Sequence, residues 1–376
     1  MKVTVIGASI AGLFLAHSLA KEGVEVEVYE QRDRLGWPPR TLIVTHKLKE
    51  VLGFNPEEAI LNKVEYMEIF SQAKAVKLKL GHPDLVVERG RLIELLAGRA
   101  KEVGAKIILN HQYESFIYLG KRILVNVKDL ETKEQKKITT DILVGADGFK
   151  SAVAQGIKEN GYYAAALLQG KVSIPQKIDP GVCQVWLAPQ RIKYFYWLIP
   201  ESSSLATVGL IADHFHQAKE GLEVFLKENK LDPWEFQQAR VPLHRWGWLR
   251  SGKVLGKNIF LVGDAAAQVK VTTVGGVVPG LCGAQALAQA LLNGRNYGRE
   301  LKSLNKELTL HLLVRKILNQ FQDEDYDELV SLIKGETKEI LEKWTRDELQ
   351  VSFLKLLFHE PRLLSLGLKA FWRALS

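Results

Sequence analysis

The stretch Ile259–Leu292, IFLVGDAAAQVKVTTVGGVVPGLCGAQALAQALL, decides the fold. Phe260 to Val262 is a short apolar run of the kind that fills a central parallel strand. Asp264 follows where that strand ends, at the rim where open α/β sheets bind ligands. A carboxylate there can bond a sugar or polyol hydroxyl. Gly275 and Gly276 let the backbone approach a planar ligand closely, and the free amides of the helix opening at Val277 suit an electron-rich group.

The N-terminus supplies the other half of such a site. Val3 to Ile6 reads as a buried strand, Gly7-Ala8-Ser9-Ile10-Ala11-Gly12 as a tight turn, Leu13 to Lys21 as a helix, and Val24 to Tyr29 as a second strand ending in Glu30. This is the order of a βαβ dinucleotide unit. Gly7 makes the turn, Gly12 lets helix and strand pack, and the helix N-terminus offers unpaired amides and a positive dipole end to a pyrophosphate. Glu30 is placed to accept ribose hydroxyls. Ser9 stands where the middle glycine of the pattern would be, and its small side chain still permits close approach. A third strand end, Ile142 to Gly145 running into Ala146-Asp147-Gly148, repeats the logic with Asp147. Ahead of it, Val86-Val87-Glu88-Arg89-Gly90-Arg91 leads into an amphipathic helix over Leu92 to Val103 and a strand over Ala105 to Leu109. Arg89 at that helix start can neutralise a pyrophosphate, whereas Arg91 reads as a solvated cap residue.

Composition narrows the alternatives. The chain has 376 residues, of which 47% are hydrophobic, enough for a large core and, at ~100–200 residues per domain, two or three domains. The 51 basic against 43 acidic residues give a formal charge of +8, a weak bias toward anionic partners without any nucleic-acid signature. Cys183 and Cys282 form neither a disulfide framework nor a metal knuckle, so no metal is expected. The chain opens directly in strand sequence, which reads as cytoplasmic, and no stretch is apolar for long enough to span a bilayer.

Taken together, GASIAG at 7–12, the acid Glu30, VGADGFKS at 144–151 and LVGDAAAQ at 261–268 resemble the flavin-binding fold of p-hydroxybenzoate hydroxylase and its relatives. The resemblance covers the chain to about Gln289 and implies bound FAD, with Asp264 on its ribityl chain. It extends the cofactor's surroundings to Arg40, Thr41, Arg89, Asp147 and Gly275-Gly276-Val277. Finer features resemble the geranylgeranyl reductases. Ala267-Gln268-Val269-Lys270 stands where aromatic hydroxylases place a histidine and a proline-rich turn, and Pro279 to Ala284 continues into a small-residue helix. Phe195-Tyr196-Trp197-Leu198-Ile199-Pro200 is similar both to an aromatic strand of those reductases and to a motif of flavin-dependent halogenases. One departure stands out: after Gly36-Trp37-Pro38-Pro39-Arg40, Thr41 occupies the position of the family's cysteine. Cys282 reads as packing.

The middle of the chain predicts an antiparallel sheet from Val182–Ala188, Lys193–Ile199 and Leu205–Ile211. Strand alternation puts Phe195, Trp197 and Ile199 on one face, toward a substrate over the flavin, and Tyr194, Tyr196 and Leu198 on the other. No residue stands out for acid/base work on a substrate. His244, Arg245, Trp246 and Trp248 read as packing in a return loop. The fold class expected is α/β: a Rossmann-like FAD-binding domain with an inserted antiparallel substrate sheet and a helical C-terminal region. Boundaries fall at 1–45, 85–155 and 254–293 for the flavin part, 46–84 and 156–253 for the substrate part, and 294–376 for the helices.

The resemblance implies reduction of isolated double bonds in an isoprenoid lipid by reduced flavin. A monooxygenase or halogenase is the alternative. An FAD-binding protein without turnover is a further one, and dehydrogenation in the reverse sense a lesser one. There is no second glycine fingerprint for a resident nicotinamide, so NAD(P)H or another external donor must deliver electrons. Asp323 to Glu328 reads as a solvated helix start. The closing segment from Val351 to Leu375 mixes bulky apolar residues with Lys and Arg, and as an amphipathic pair of helices it offers a peripheral contact at the inner membrane face.

Overall fold

The computed structural model describes residues 1–158, 163–174, 178–244 and 258–373. Arg245, Trp246, Trp248 and the expected boundary at 253/254 lie outside the described residues. Five parallel strands make the first sheet: β1 (Lys2–Ile6), β2 (Glu25–Tyr29), β6 (Lys106–Ile108), β10 (Ile142–Gly145) and β16 (Ile259–Leu261), in the order β16-β10-β1-β2-β6. Alternation along these strands loads both faces. Val3, Val5, Ile142 and Val144 pack under helices α1 (Ile10–Ala20), α3 (Arg89–Glu102) and α6 (Val277–Leu292). Ile6, Leu143, Ile259 and Leu261 face a three-stranded antiparallel sheet of β7 (His111–Tyr118), β8 (Ile123–Asp129) and β9 (Gln135–Thr140), together with the short helix α4 (Ala152–Gly156). α3 begins three residues earlier than its apolar pattern indicates, because the Glu88 carboxylate caps the amides of Gly90 and Arg91 at 2.9 and 2.7 Å.

Eight further strands form the second sheet, in the order β15-β11-β14-β13-β12-β4-β5-β3. They are β3 (Thr41–Val44), β4 (Ile60–Phe70), β5 (Ala75–Glu88), β11 (Ala164–Ser173), β12 (Val182–Trp186), β13 (Tyr196–Pro200), β14 (Leu205–Ala212) and β15 (Pro233–Pro242). All pair antiparallel except β4 with β12. β3 lies in this sheet although its residues fall within 1–45, and β5 straddles the 84/85 boundary. The sheet curls until its two edges meet. Gln237 on β15 accepts from the Thr41 amide at 3.0 Å, and Gln169 on β11 donates to the Thr41 carbonyl at 3.0 Å. Tyr196 and Leu198 look outward to α5 (Phe215–Glu228), where Tyr196 stacks on Phe225.

A small helix, α2 (Lys47–Leu52), follows β3. Past α6 the chain is helical: α7 (Tyr297–Glu300), α8 (Lys302–Leu318), α9 (Asp323–Leu332), α10 (Gly335–Lys343), α11 (Leu349–His359) and α12 (Arg362–Arg373). Among the described residues no helix is long and apolar enough to cross a membrane. The acidic run at 323–328 does start a helix, but it is not solvated throughout. Asp325 is 1% exposed and pairs with Lys369 and Arg373 of α12. Two cations arriving from the end of the chain replace the water that the sequence pattern assigns to it. Burial pushes the Asp325 carboxyl up, yet hydrogen bonds from Arg373, the Gln322 amide and Lys369 outweigh it and leave the group well below the usual carboxylate range.

Its folded-state pKa is therefore depressed. The stabilisation is present above the ordinary value of 3.8 and is lost as pH falls further. Asp325→Asn is expected to cost about 1–3 kcal/mol near neutral pH, since Lys369 and Arg373 keep part of their hydration. Thermal unfolding and hydrogen exchange over 362–373 check this. The gap to wild type should narrow on acidification, and equal α12 protection in both proteins at neutral pH would contradict the pairing.

Candidate functional site

The site is built where four parallel strands end. β1 runs into Gly7, whose φ of +99° places a hypothetical Cβ 2.5 Å from the Ala146 carbonyl oxygen, so no side chain fits there. Ser9 is the N-cap of α1 and accepts from the Gly12 amide at 3.2 Å. The serine that departs from the glycine pattern thus shapes the helix start. Glu30, one residue past β2, accepts from the Ala8 amide at 2.9 Å and the Arg32 amide at 3.0 Å, which fixes the carboxylate beside the turn. Asp147, two residues past β10, accepts from the Ala152 amide at 2.7 Å, while its Oδ1 is buried without a partner.

Asp264 sits in the short 3-10 turn Gly263–Ala266, one residue past the end of β16, and two guanidinium groups share its electrostatic environment. Burial raises the Asp264 carboxyl, against the pull of Arg40 and Arg89. Burial and repulsion from Arg89 bring Arg40 down to about 10, against the attraction of Asp264. Arg89 is likewise lowered, by burial first and by Arg32 next. The backbones of Arg40 and Arg89 are joined by an amide–carbonyl bond of 2.9 Å. Among the described residues neither guanidinium makes an ion pair, and the Arg40 Nε is buried with no partner. Two desolvated cations against one carboxylate leave a positive excess that a bound diphosphate would balance. The residues present fit a dinucleotide.

The glycine turn lies against this acid. A Cβ on Gly276 would stand 2.9 Å from Asp264 Oδ1, so the backbone closes directly over the carboxylate. α6 begins at Val277. Two braces that pattern reading missed hold the turn. Gln268 is fully buried, accepts from the Gly263 amide at 2.7 Å and donates to the Tyr297 hydroxyl at 3.1 Å. Lys270, 4% exposed, forms an ion pair with Asp347. A polar residue among Ala and Val, as in AAAQVKV, is the signal that could have pointed to both. His244 is buried too, and desolvation pulls its imidazole down to about 4, against a hydrogen bond with the Ala267 backbone. Cys282 on α6 is pushed up to about 11 by burial, in keeping with a packing role.

The curled sheet turns one face toward the turn. Phe195, Trp197 and Ile199 pack in one cluster with Val269 and Val274 of the Gly-Asp segment. Tyr194 joins the same cluster, because it precedes β13 and escapes the strand alternation. The Trp197 indole N–H is buried and unpartnered. Cross-strand register carries this face from Trp197 to Gly209, Gln169 and Gln237, and Gln237 holds the Thr41 amide. Thr41 itself is buried and donates its hydroxyl to Glu201 at 2.5 Å, where Thr207 and Lys171 also converge. Asp264, Arg40, Arg89, the glycine turn and the aromatic strand are therefore brought to one place. The Gly7–Gly12 turn and Glu30 lie past β1 and β2, two and three strands from β16 along the same rim.

The family model described as FAD binding domain matches residues 1–169. The chain is 27% identical over 363 residues to a digeranylgeranylglycerophospholipid reductase of Methanococcus aeolicus, covering 92% of this chain and 88% of the relative. Its fold is similar to that of a geranylgeranyl bacteriochlorophyll reductase-like protein of Thermoplasma acidophilum, at TM-score 0.75 and 19% identity over 97% and 98% of the two chains. It is also similar to a flavin-dependent halogenase, at TM-score 0.65 and 16% identity over 96% and 70%. Fold and site define a flavoprotein enzyme built on an FAD-binding domain. The protein is an FAD-dependent oxidoreductase, and over most of its length it is similar to proteins named digeranylgeranylglycerophospholipid reductases.

Removing the rim acid tests the site. Asp264→Ala is expected to weaken FAD retention by about tenfold to a hundredfold, the range for a lost hydrogen bond to a charged group. The absorbance ratio of flavin to protein after dialysis reads it. A ratio equal to wild type would remove Asp264 from the site.

Proposed function

We propose that the protein saturates isolated carbon–carbon double bonds of an isoprenoid lipid, as its relatives named digeranylgeranylglycerophospholipid reductases are named for doing. The observation that carries this reading is the apolar wall of Phe195, Trp197 and Ile199, set against Val269 and Val274 of the segment that carries Asp264. An unactivated alkene needs such a wall, because it offers no polar handle and must be held by shape in a site that excludes water. Reduced FAD supplies a hydride equivalent to one alkene carbon, and the other carbon takes a proton. The chain's share is placement. Asp264 anchors the ribityl chain, Arg40 and Arg89 offset the diphosphate charge, and the aromatic strand fixes the alkene and keeps oxygen away. At Thr41 a hydroxyl bonded to Glu201 stands in place of a thiol, so the proton reaches the substrate without cysteine chemistry. Electrons arrive from NAD(P)H bound in passing or from an external carrier.

The test is anaerobic. Chemically reduced protein mixed with a tetraprenyl glycerolipid in detergent should yield products heavier by two hydrogens per bond, read by mass spectrometry. Unchanged lipid there, combined with NAD(P)H-driven oxygen uptake and an oxygenated or halogenated product in air, would overturn the reading.

A further inference from the structure

The last two helices leave uncovered the side chains that a folded body usually hides. Phe358 is 81% exposed, Leu354 71%, Trp372 68% and Phe371 53%. These are not a core stripe left without a partner. α12 already seats Leu366 and Ala370 against Phe321 and Tyr326, and the outward residues lie on its other side. From Leu349 to the C-terminus the sequence carries Lys355, Arg362, Lys369 and Arg373; Lys369 and Arg373 are taken by Asp325 and Arg362 by Glu360, and Lys355 lies over the Trp344 ring. α8 touches both helices, and with α7 it bounds an open groove of about 490 Å³ lined by Arg299, Lys302, Lys306, Leu310 and Leu313. Among the described residues none of these three cations has an ion-pair partner.

We infer that the face made by α8, α11 and α12 docks peripherally on a bilayer containing anionic phospholipid. The bulky side chains enter the head-group region, and the cations meet phosphates. The interleaving of charge decides for a bilayer over a protein partner. Lys355 lies between Leu354 and Phe358. In the core of a protein interface its ammonium would lose its water. At a bilayer its long stem lets the charge reach the head groups while the apolar neighbours sink. Trp372 suits the interfacial level. The docking helices also adjoin the flavin turn. Asp347, two residues before α11, pairs with Lys270. Glu307 accepts from the first α11 amides and lies 3.4 Å from His311, which bonds Thr272 of the turn at 2.6 Å. The inference goes beyond the reductase reading and does not depend on it.

Co-sedimentation of the FAD-loaded protein with vesicles tests it, without turnover. Binding is expected to vesicles of phosphatidylcholine with phosphatidylglycerol, to be weak with phosphatidylcholine alone, and to fall as salt rises. The double variant Phe358→Ser, Trp372→Ser should lower partitioning by about tenfold or more, and Lys302→Glu with Lys306→Glu should remove much of the salt-sensitive part. Unchanged flavin content and melting temperature in both variants separate this from misfolding. Equal binding by the double variant would overturn the inference, as would equal binding to uncharged vesicles. A dimer that is lost in the double variant, with no vesicle binding by wild type, would assign the face to a second copy instead.

Discussion

A buried ammonium holds this structure together. Lys270 sits inside the glycine turn and finds its counter-charge on Asp347, which also accepts the Thr45 hydroxyl at 2.6 Å from just beyond β3. Beside it, Arg346 pairs with the buried Asp84 of β5. The flavin turn, the curled sheet and the C-terminal helices therefore meet at one ionic knot. Neither half is tolerable alone, because leaving one buried charge unpaired costs about 3–5 kcal/mol. The backbone that closes over Asp264 is thus set by residues from the far end of the chain as well as by its own glycines.

The rim obeys the opposite logic. Where Lys270 and Asp347 satisfy one another, Arg40 and Arg89 do not, and with Asp264 they leave an excess of positive charge under partial burial. A knot that is neutral and closed beside a rim that is cationic and open is what separates scaffold from site. The curled sheet adds the third requirement, an apolar face with the unpartnered Trp197 indole, whose far end is closed by the Gln169–Gln237–Thr41 bonds. Thr41 marks where this chain departs from the pattern it resembles, and the structure gives the replacement hydroxyl a carboxylate partner in Glu201.

The placement of the rim residues could be read from sequence because its determinants are local. Gly7, Ser9, Glu30 and Asp264 act within one turn or at one strand end, so order along the chain implies position in space. The aromatic strand was readable for a similar reason, as period-two alternation sorts Trp197 from Leu198. What pattern could not show is the knot. Its partners lie 77 residues apart for Lys270 and Asp347, 262 for Asp84 and Arg346, and 302 for Thr45 and Asp347. Each of those side chains reads as an ordinary surface charge or hydroxyl until topology assembles them. The same distance effect hid the burial of Asp325, whose cations come from α12.

The central claim is that one FAD lies along this rim with its ring beneath the aromatic strand. A crystal structure of the flavin-loaded protein measures that directly. A ribityl hydroxyl is expected within hydrogen-bond distance of Asp264, the diphosphate between the α1 N-terminus and the Arg40–Arg89 pair, and the flavin ring facing Trp197. A dinucleotide held elsewhere, or a ring turned away from the β13 face, would contradict it.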